Sequence, residues 1–255
     1  MCKSKILVKI GGSLFREDAT IIKNVTSCLC LLAEEHHITI IVGSGPIGEY
    51  YKTLREKIGI YGNNAVCSKG IDDLEIWRMI QIINMQMLIY LNPNLKHNLN
   101  VIVPSEEQLS ARWNIYKSKI SSDDMAHFEQ INRQKTDIKA LTYGEMHNIR
   151  KYVVLTDVDG VYSGNPKTNN NAIKYNSLSQ KNLWGIEFGT KSNIGKCTCL
   201  DKGVSLILKY FFSADTDIIV TSHKKFSQIT TKTNNDIIES LKQCGTWISN
   251  TIDMQ

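Results

Sequence analysis

An α/β fold, with one mainly parallel sheet covered by helices on both faces, follows from three observations in the sequence. Short runs rich in β-branched residues alternate with helix-length segments. The first two runs stop in glycine, as "KILVKIGGS" and "ITIIVGSG". A later run, "KYVVLT", ends in the dense polar cluster "DVDGVYSGNP", at the strand tip where open α/β sheets keep their ligands.

The elements are expected in this order. Residues 5–10 form a first strand, and an amphipathic helix covers roughly 19–36. A second strand spans 38–45, followed by a helix near 48–58. Residues 72–91, "DDLEIWRMIQIINMQMLIYL", open with acidic residues and continue apolar, the pattern of a mostly buried helix. A third strand is expected at 100–105, while the polar stretch 106–134 has no pattern that assigns it. Residues 136–148 read as a helix with Thr136 as N-cap. The fourth strand is "KYVVLT"; a helix near 199–212, a fifth strand at 216–222 and a short helix at 234–244 precede the terminal "GTWI". There is no repeat, low-complexity segment or linker, so one continuous sheet with two lobes is expected.

Composition narrows the function classes. The chain has 255 residues, 42% hydrophobic and 22% charged, enough to bury a core. Net charge is +5, but the positive charges are scattered, which points to anionic small ligands and away from nucleic acid. No apolar run reaches the length of a membrane span and no signal-peptide layout is seen, so a cytoplasmic protein is expected. Seven cysteines, an odd number without repeating spacing, read as reduced thiols; the Cys-x-Cys pairs at 28/30 and 197/199 miss the usual zinc spacing, so no protein metal site is expected.

Glycine after a strand lets backbone N–H groups approach and point at a phosphate. Gly11-Gly12-Ser13, Gly43-Ser44-Gly45 and the loop around Gly160 all follow strands. Any one of them is equally a tight turn, but together with a polar cluster they exceed punctuation. No Walker A loop occurs. "GSGPIG" satisfies G-x-G-x-x-G only superficially, because Pro46 interrupts it and no acidic residue follows about 20 positions on. Lys9 lies between Val8 and Ile10 at the end of a strand expected to be buried on both faces. A lysine there needs an anionic partner, and a transferring phosphoryl group is one.

"VKIGGSLF", "IIVGSGP", "KTDIKAL", "LTDVDGVYSGNP" and "GTWI" occur in one order along most of the chain. In this the sequence resembles the amino-acid kinase superfamily, which includes acetylglutamate, aspartate, carbamate and uridylate kinases. The resemblance is thin between about 94 and 134. It implies a three-layer αβα sandwich, with residues 1–148 as the acceptor lobe and 149–255 as the nucleotide lobe. It implies ATP and Mg2+, a small-molecule acceptor, and a homo-oligomer, dimer or hexamer, with neither nucleic acid nor membrane as partner. "GVYSGNPKTNNNAIKY" is similar to uridylate kinases and molybdenum-storage proteins, whereas "LEIWRMIQIINMQML" and "KCTCLDKGVSLILKY" look more like an archaeal kinase of methanofuran biosynthesis.

Residue by residue, Lys9 matches the lysine that stabilises charge on the transferring phosphoryl, and Asp137 the aspartate that orients lysines around the phosphates. Gly11, Gly12 and Ser13 match the phosphate-cradling turn. Thr136, Thr156, Tyr162 and Asn165 match positions lining the nucleotide site, with Asp159 and Gly160 shaping its loop. Asn165 departs from the aspartate usual in uridylate kinases. Gly43, Ser44 and Gly45 match the turn near the acceptor, where the family usually has three glycines. On the helix carrying Trp77 and Gln81, Arg78 offers a fork suited to phosphate, against a bland reading as a surface ion pair. Asp201 is placed near the phosphates by the resemblance, although as a helix-capping residue it needs no function. Lys196 stands in for a second catalytic lysine of other branches, at a different spacing.

The expected activity is transfer of the γ-phosphoryl of MgATP to a phosphate monoester. The alternatives are a carboxylate kinase, a non-enzymatic ATP- or oxyanion-binding storage protein of the same fold, and a degenerate regulatory subunit. A phosphate oxygen is already ionised at pH 7, so no general base is needed, and none of the six histidines sits in a motif.

Overall fold

The computed structural model describes residues 3–57, 73–131, 135–179, 182–185, 200, 203–212, 215–229 and 235–249. The chain opens with β1 (Ser4–Ile10), a 3₁₀ turn (Gly12–Arg16), α1 (Ala19–Glu35), β2 (His36–Val42) and α2 (Gly45–Lys57). Then come α3 (Asp73–Leu91), α4 (Leu95–Asn98), β3 (Asn100–Ile102), α5 (Glu106–Lys117), α6 (Ser122–Glu129) and α7 (Thr136–Met146). The second half holds β4 (Lys151–Thr156), β5 (Val161–Tyr162), β6 (Lys174–Tyr175), β7 (Ser177–Ser179) and a second 3₁₀ turn (Asn182–Gly185). It ends with α8 (Gly203–Phe211), β8 (Asp217–Ser222), α9 (His223–Ser227), α10 (Asn235–Cys244) and β9 (Thr246–Ser249).

One seven-stranded sheet runs β3-β2-β1-β4-β8-β9-β7, and β5 pairs with β6 as a separate antiparallel hairpin. β3, β2, β1, β4 and β8 are parallel; β9 runs antiparallel to β8, and β7 is parallel to β9. Helices α5 to α8 pack one face around Trp113, Phe128, Leu141 and Ile207. α1, α3, α4, α9 and α10 pack the other around Leu29, Leu88, Phe226 and Leu241. The fold is therefore a three-layer αβα sandwich, and both halves of the chain share its sheet.

The near-continuous apolar composition of the central strands is the consequence of this double cover. In β1, Ile6, Val8 and Ile10 face one layer while Leu7 and Lys9 face the other. Ile6, Leu7, Val8 and Ile10 are all fully buried, each of the larger side chains contributing about 1.5–3 kcal/mol.

Three expectations are corrected. The terminal "GTWI" forms β9, and residues 177–179 form the edge strand β7; their pairing with remote segments gives strands that local pattern did not suggest. Thr136 is the first residue of α7, with Lys135 in the N-cap position and no side-chain cap. The unassigned polar stretch holds α5 and α6. Leu109, Trp113, Tyr116 and Ile120, all buried, recur at helical spacing there, and Ser105 accepts a hydrogen bond from the Gln108 amide as an N-cap. Trp113 stacks on Phe128 at 4.5 Å and Tyr116 on Phe211 at 3.8 Å, while Arg112 pairs with Glu145 of α7. Among the described residues, no helix is long and apolar enough to cross a membrane.

Candidate active site

From β1 the chain builds outward through β2 and β3, then returns to the other side of β1 with β4. That reversal opens a crevice beyond the C-terminal ends of β1 and β4, the topological switch point of an open α/β sheet. The two glycine turns and the polar loop after β4 meet there.

The turns interlock through their backbones. The Gly11 amide donates to the Leu155 carbonyl at 2.7 Å, and the Gly43 amide to the Ile10 carbonyl at 2.8 Å. A Cβ on Gly12 would lie 2.2 Å from the Gly45 nitrogen, and one on Gly43 would lie 2.7 Å from the Gly12 nitrogen. Gly45 also has φ of 58°, a left-handed conformation open to glycine. These glycines thus meet a packing requirement of their own, before any ligand is considered. Behind the second turn stands α3: Gln81 Nε2 donates to the Val42 carbonyl at 2.9 Å, and Asn84 Nδ2 to the carbonyls of Gly43 and Ser44 at 2.8 and 2.9 Å. Both side chains are buried, and Gln81 Oε1 and Asn84 Oδ1 have no hydrogen-bond partner among the described residues.

On the face of β1 toward α7, Lys9 Nζ lies 2.7 Å from Asp137 Oδ1. Their opposite charges hold the pair together. Burial of both groups makes each necessary to the other.

Beyond β4 a cleft of about 620 Å³ is lined by Thr156, Asp157, Asp159 and Tyr162, by Ser222 at the end of β8 and His223, Lys224 and Lys225 after it, and by Glu17. Its volume lies within the range of small-molecule sites. Thr156 Oγ1 donates to Asp157 Oδ1 at 3.2 Å, and Asp157 pairs with Lys167. The Tyr162 hydroxyl donates to Asp159 Oδ1 at 2.5 Å, and Lys174 Nζ stands 3.4 Å from Asp159 Oδ2. Burial opposes ionisation of Asp159, but the Tyr162 hydrogen bond and the Lys174 charge outweigh it and hold the carboxyl low. Burial, then Asp159, pushes the Tyr162 hydroxyl up to about 12. Gly160 is required by close approach, since a Cβ there would meet Thr246 Oγ1 at 2.5 Å.

Lys9, Gly11, Gly12, Ser13, Thr136 and Asp137 thus gather at the β1 end of the crevice, and Thr156, Asp159 and Tyr162 line the adjoining cleft. Asn165 Oδ1 instead accepts from the Lys167 amide at 3.0 Å and shapes the loop. Arg78 is exposed and pairs with Glu75 one helical turn away at 3.4 Å. Lys196 and Asp201 lie outside the described residues. Sequence reasoning missed Asn84, His223 and the lysines at 167, 224 and 225. Asn84 had a signal, three positions after Gln81 in an otherwise apolar helix; "SHKK" at the end of a strand was the signal for His223, Lys224 and Lys225, and the polar loop "GNPKT" for Lys167.

Comparison with known proteins matches residues 4–198 to the amino acid kinase family. A uridylate kinase of Methanococcoides burtonii is 29% identical over 207 residues, 80% of this chain and 81% of that one. A uridylate kinase of Methanococcus vannielii is 28% identical over 210 residues, 80% and 85% of the two chains. Among solved structures, the uridylate kinase of Archaeoglobus fulgidus superposes with a TM-score of 0.61 at 18% identity, covering 96% of this chain and all of that one. Carbamate kinase from Giardia lamblia, solved with AMP-PNP, gives 0.56 at 11% identity, covering 97% and 99%. The structural likenesses speak for the fold; the sequence match over most of the chain speaks for descent. The chain belongs to the amino acid kinase family and is a kinase.

Proposed function

We propose that the protein transfers the γ-phosphoryl of MgATP to a phosphate monoester, with uridine monophosphate the first acceptor to test. The observation that carries the reading is the buried Lys9–Asp137 pair at the switch-point crevice, between two interlocked glycine turns and the cleft after β4. The uridylate kinases at 28–29% identity support the acceptor class.

Phosphoryl transfer passes through a loose transition state, so positioning and charge neutralisation do most of the work. Lys9, with its position set by Asp137, supplies fixed positive charge where it develops on the transferring group. The first glycine turn offers backbone donors, and Lys167, Lys224 and Lys225 line the cleft, where Lys167 pairs with Asp157 and Lys224 with Glu17. These features fit a nucleotide triphosphate. Magnesium enters as part of that substrate, held largely through phosphate oxygens. In this reading residues 1–148 receive the acceptor, at the turn of Gly43, Ser44 and Gly45 backed by Gln81 and Asn84, with Arg78 toward its phosphate. Residues 149–255 hold the nucleotide. The uncharged face of α3, with Met79, Ile83, Met87 and Tyr90 exposed, suits a homo-oligomer.

The test is ADP release from MgATP against nucleoside monophosphates, other phosphate esters, carboxylates and amino acids. Phosphorus NMR of the product should show the coupled pair of a phosphate–phosphate anhydride. Hydroxamate formation on adding hydroxylamine, without that pair, would assign a carboxylate acceptor instead. Saturable MgATP binding with no turnover on any acceptor would favour a storage or regulatory protein.

A further inference from the structure

His223 opens α9 immediately after β8, and its side chain is fully buried. Neither ring nitrogen has a hydrogen-bond partner among the described residues. A neutral imidazole carries one donor and one acceptor, and buried polar groups in folded proteins are almost always paired. An unpaired one costs about 1–3 kcal/mol. Such a group beside a binding cleft calls for a partner that the described residues do not supply.

The surroundings indicate the partner. The residue lines the cleft together with Thr156, Asp157 and Tyr162. The charges acting on the ring are those of Lys9 on β1 and Asp157 after β4. The main chain of Gly11 and Leu155 passes close enough to favour the protonated ring, but does not reach hydrogen-bond geometry with either nitrogen. Burial, and then the Lys9 charge, push the ring down to about 4. The imidazole is therefore neutral near pH 7 and retains one N–H. The ring lies between the first glycine turn and the cleft, near a lysine whose charge attracts anions.

We propose that neutral His223 donates its ring N–H to a phosphate oxygen of the nucleotide, beside Lys9. The inference rests on the nucleotide reading above and deepens it by naming a phosphate-binding residue that neither the glycine turns nor the family resemblance includes. The roles differ physically. Lys9 brings charge, which falls off slowly with distance; His223 brings a directional neutral donor, which fixes where one oxygen sits.

The experiment uses the full chain with 15N-labelled histidine. Long-range proton–nitrogen correlation spectra report the tautomer and protonation of each ring, and His223→Asn assigns the resonance. Calorimetry on the wild type with Mg-AMP-PNP comes first: absence of binding overturns the kinase reading and this proposal with it. Given binding, Mg-AMP-PNP and MgADP should shift the His223 ring N–H and slow its exchange, while adenosine should not. His223→Leu should weaken MgADP binding about tenfold, equivalent to about 1.4 kcal/mol. His223→Asn, which keeps a donor, should recover part of that loss. Unmoved His223 resonances with nucleotide bound at full occupancy would overturn the proposal and leave the kinase reading standing. Should the Leu variant fail to fold, the wild-type spectra decide alone.

Discussion

Lys9 Nζ lies 2.7 Å from Asp137 Oδ1, joining β1 to the start of α7, with both side chains nearly nine-tenths buried. The pair links stability to chemistry. A buried charge that loses its partner is costly, commonly about 3–5 kcal/mol. The residue expected to stabilise the transferring phosphoryl is therefore also needed to neutralise Asp137.

Lys9→Ala should lower kcat by about 10²-fold or more, with ATP affinity less affected, because a fixed charge matters most in the transition state. It should also destabilise the fold by about 3 kcal/mol, through the orphaned Asp137 carboxylate. Lys9→Met combined with Asp137→Leu should be more stable than either single change, though inactive. Urea denaturation of the four proteins gives the coupling energy, and simple additivity would show that the two charges are not paired in solution.

Gly12→Ala should be destabilising by about 1–3 kcal/mol, as the new methyl meets the Gly45 backbone, which has no flexible side chain to yield. Gly164→Ala is the control, since its Cβ would meet only the Asn169 side chain, at 3.2 Å. Equal midpoints in urea for the two variants would remove the packing explanation for the glycine turn.

His223 makes stability depend on pH. Its folded-state value is near 4, below the ordinary 6.5, so the unfolded chain binds the proton more readily. The contribution is present in full above pH 6.5 and is lost as pH falls toward 4. The 2.5-unit difference corresponds to about 3 kcal/mol. His223→Asn should flatten this part of the pH–stability profile; urea midpoints between pH 4 and 7 provide the check, and parallel curves for both proteins would refute it.

Tyr162→Phe removes the hydroxyl that donates to Asp159 and lets the Asp159 carboxyl rise toward its usual range. With a net hydrogen-bond contribution of about 0.5–1.5 kcal/mol, KM for ATP should increase about three- to tenfold while kcat changes little. Steady-state kinetics at saturating acceptor separates the two constants.

Arg78 is exposed and its Glu75 partner equally so, hence Arg78→Ala should shift stability by less than about 0.5 kcal/mol. If it reaches the acceptor phosphate, KM for the acceptor should rise with KM for ATP unchanged. No change in either constant would leave Arg78 as a surface ion pair.

The sequence by itself determined the central strands, the glycine turns and the place of Lys9 on a strand buried on both faces. Each is set by close neighbours: an apolar run around Lys9 implies double burial, and glycines at 11, 12, 43 and 45 end strands that must turn sharply. Leu109, Trp113, Tyr116 and Ile120 carried a helical period as well, but their polar surroundings obscured it. The tertiary structure alone decided the rest. It brought Asp137 to Lys9, paired β9 with β8 in antiparallel register, set Gln81 and Asn84 behind the second turn, and buried His223 beside the cleft with no hydrogen-bond partner among the described residues. Helical and strand periods report a residue's neighbours along the chain. Burial, ion pairing and an unpaired ring nitrogen depend on which distant segments close around it, and a local pattern carries no record of those.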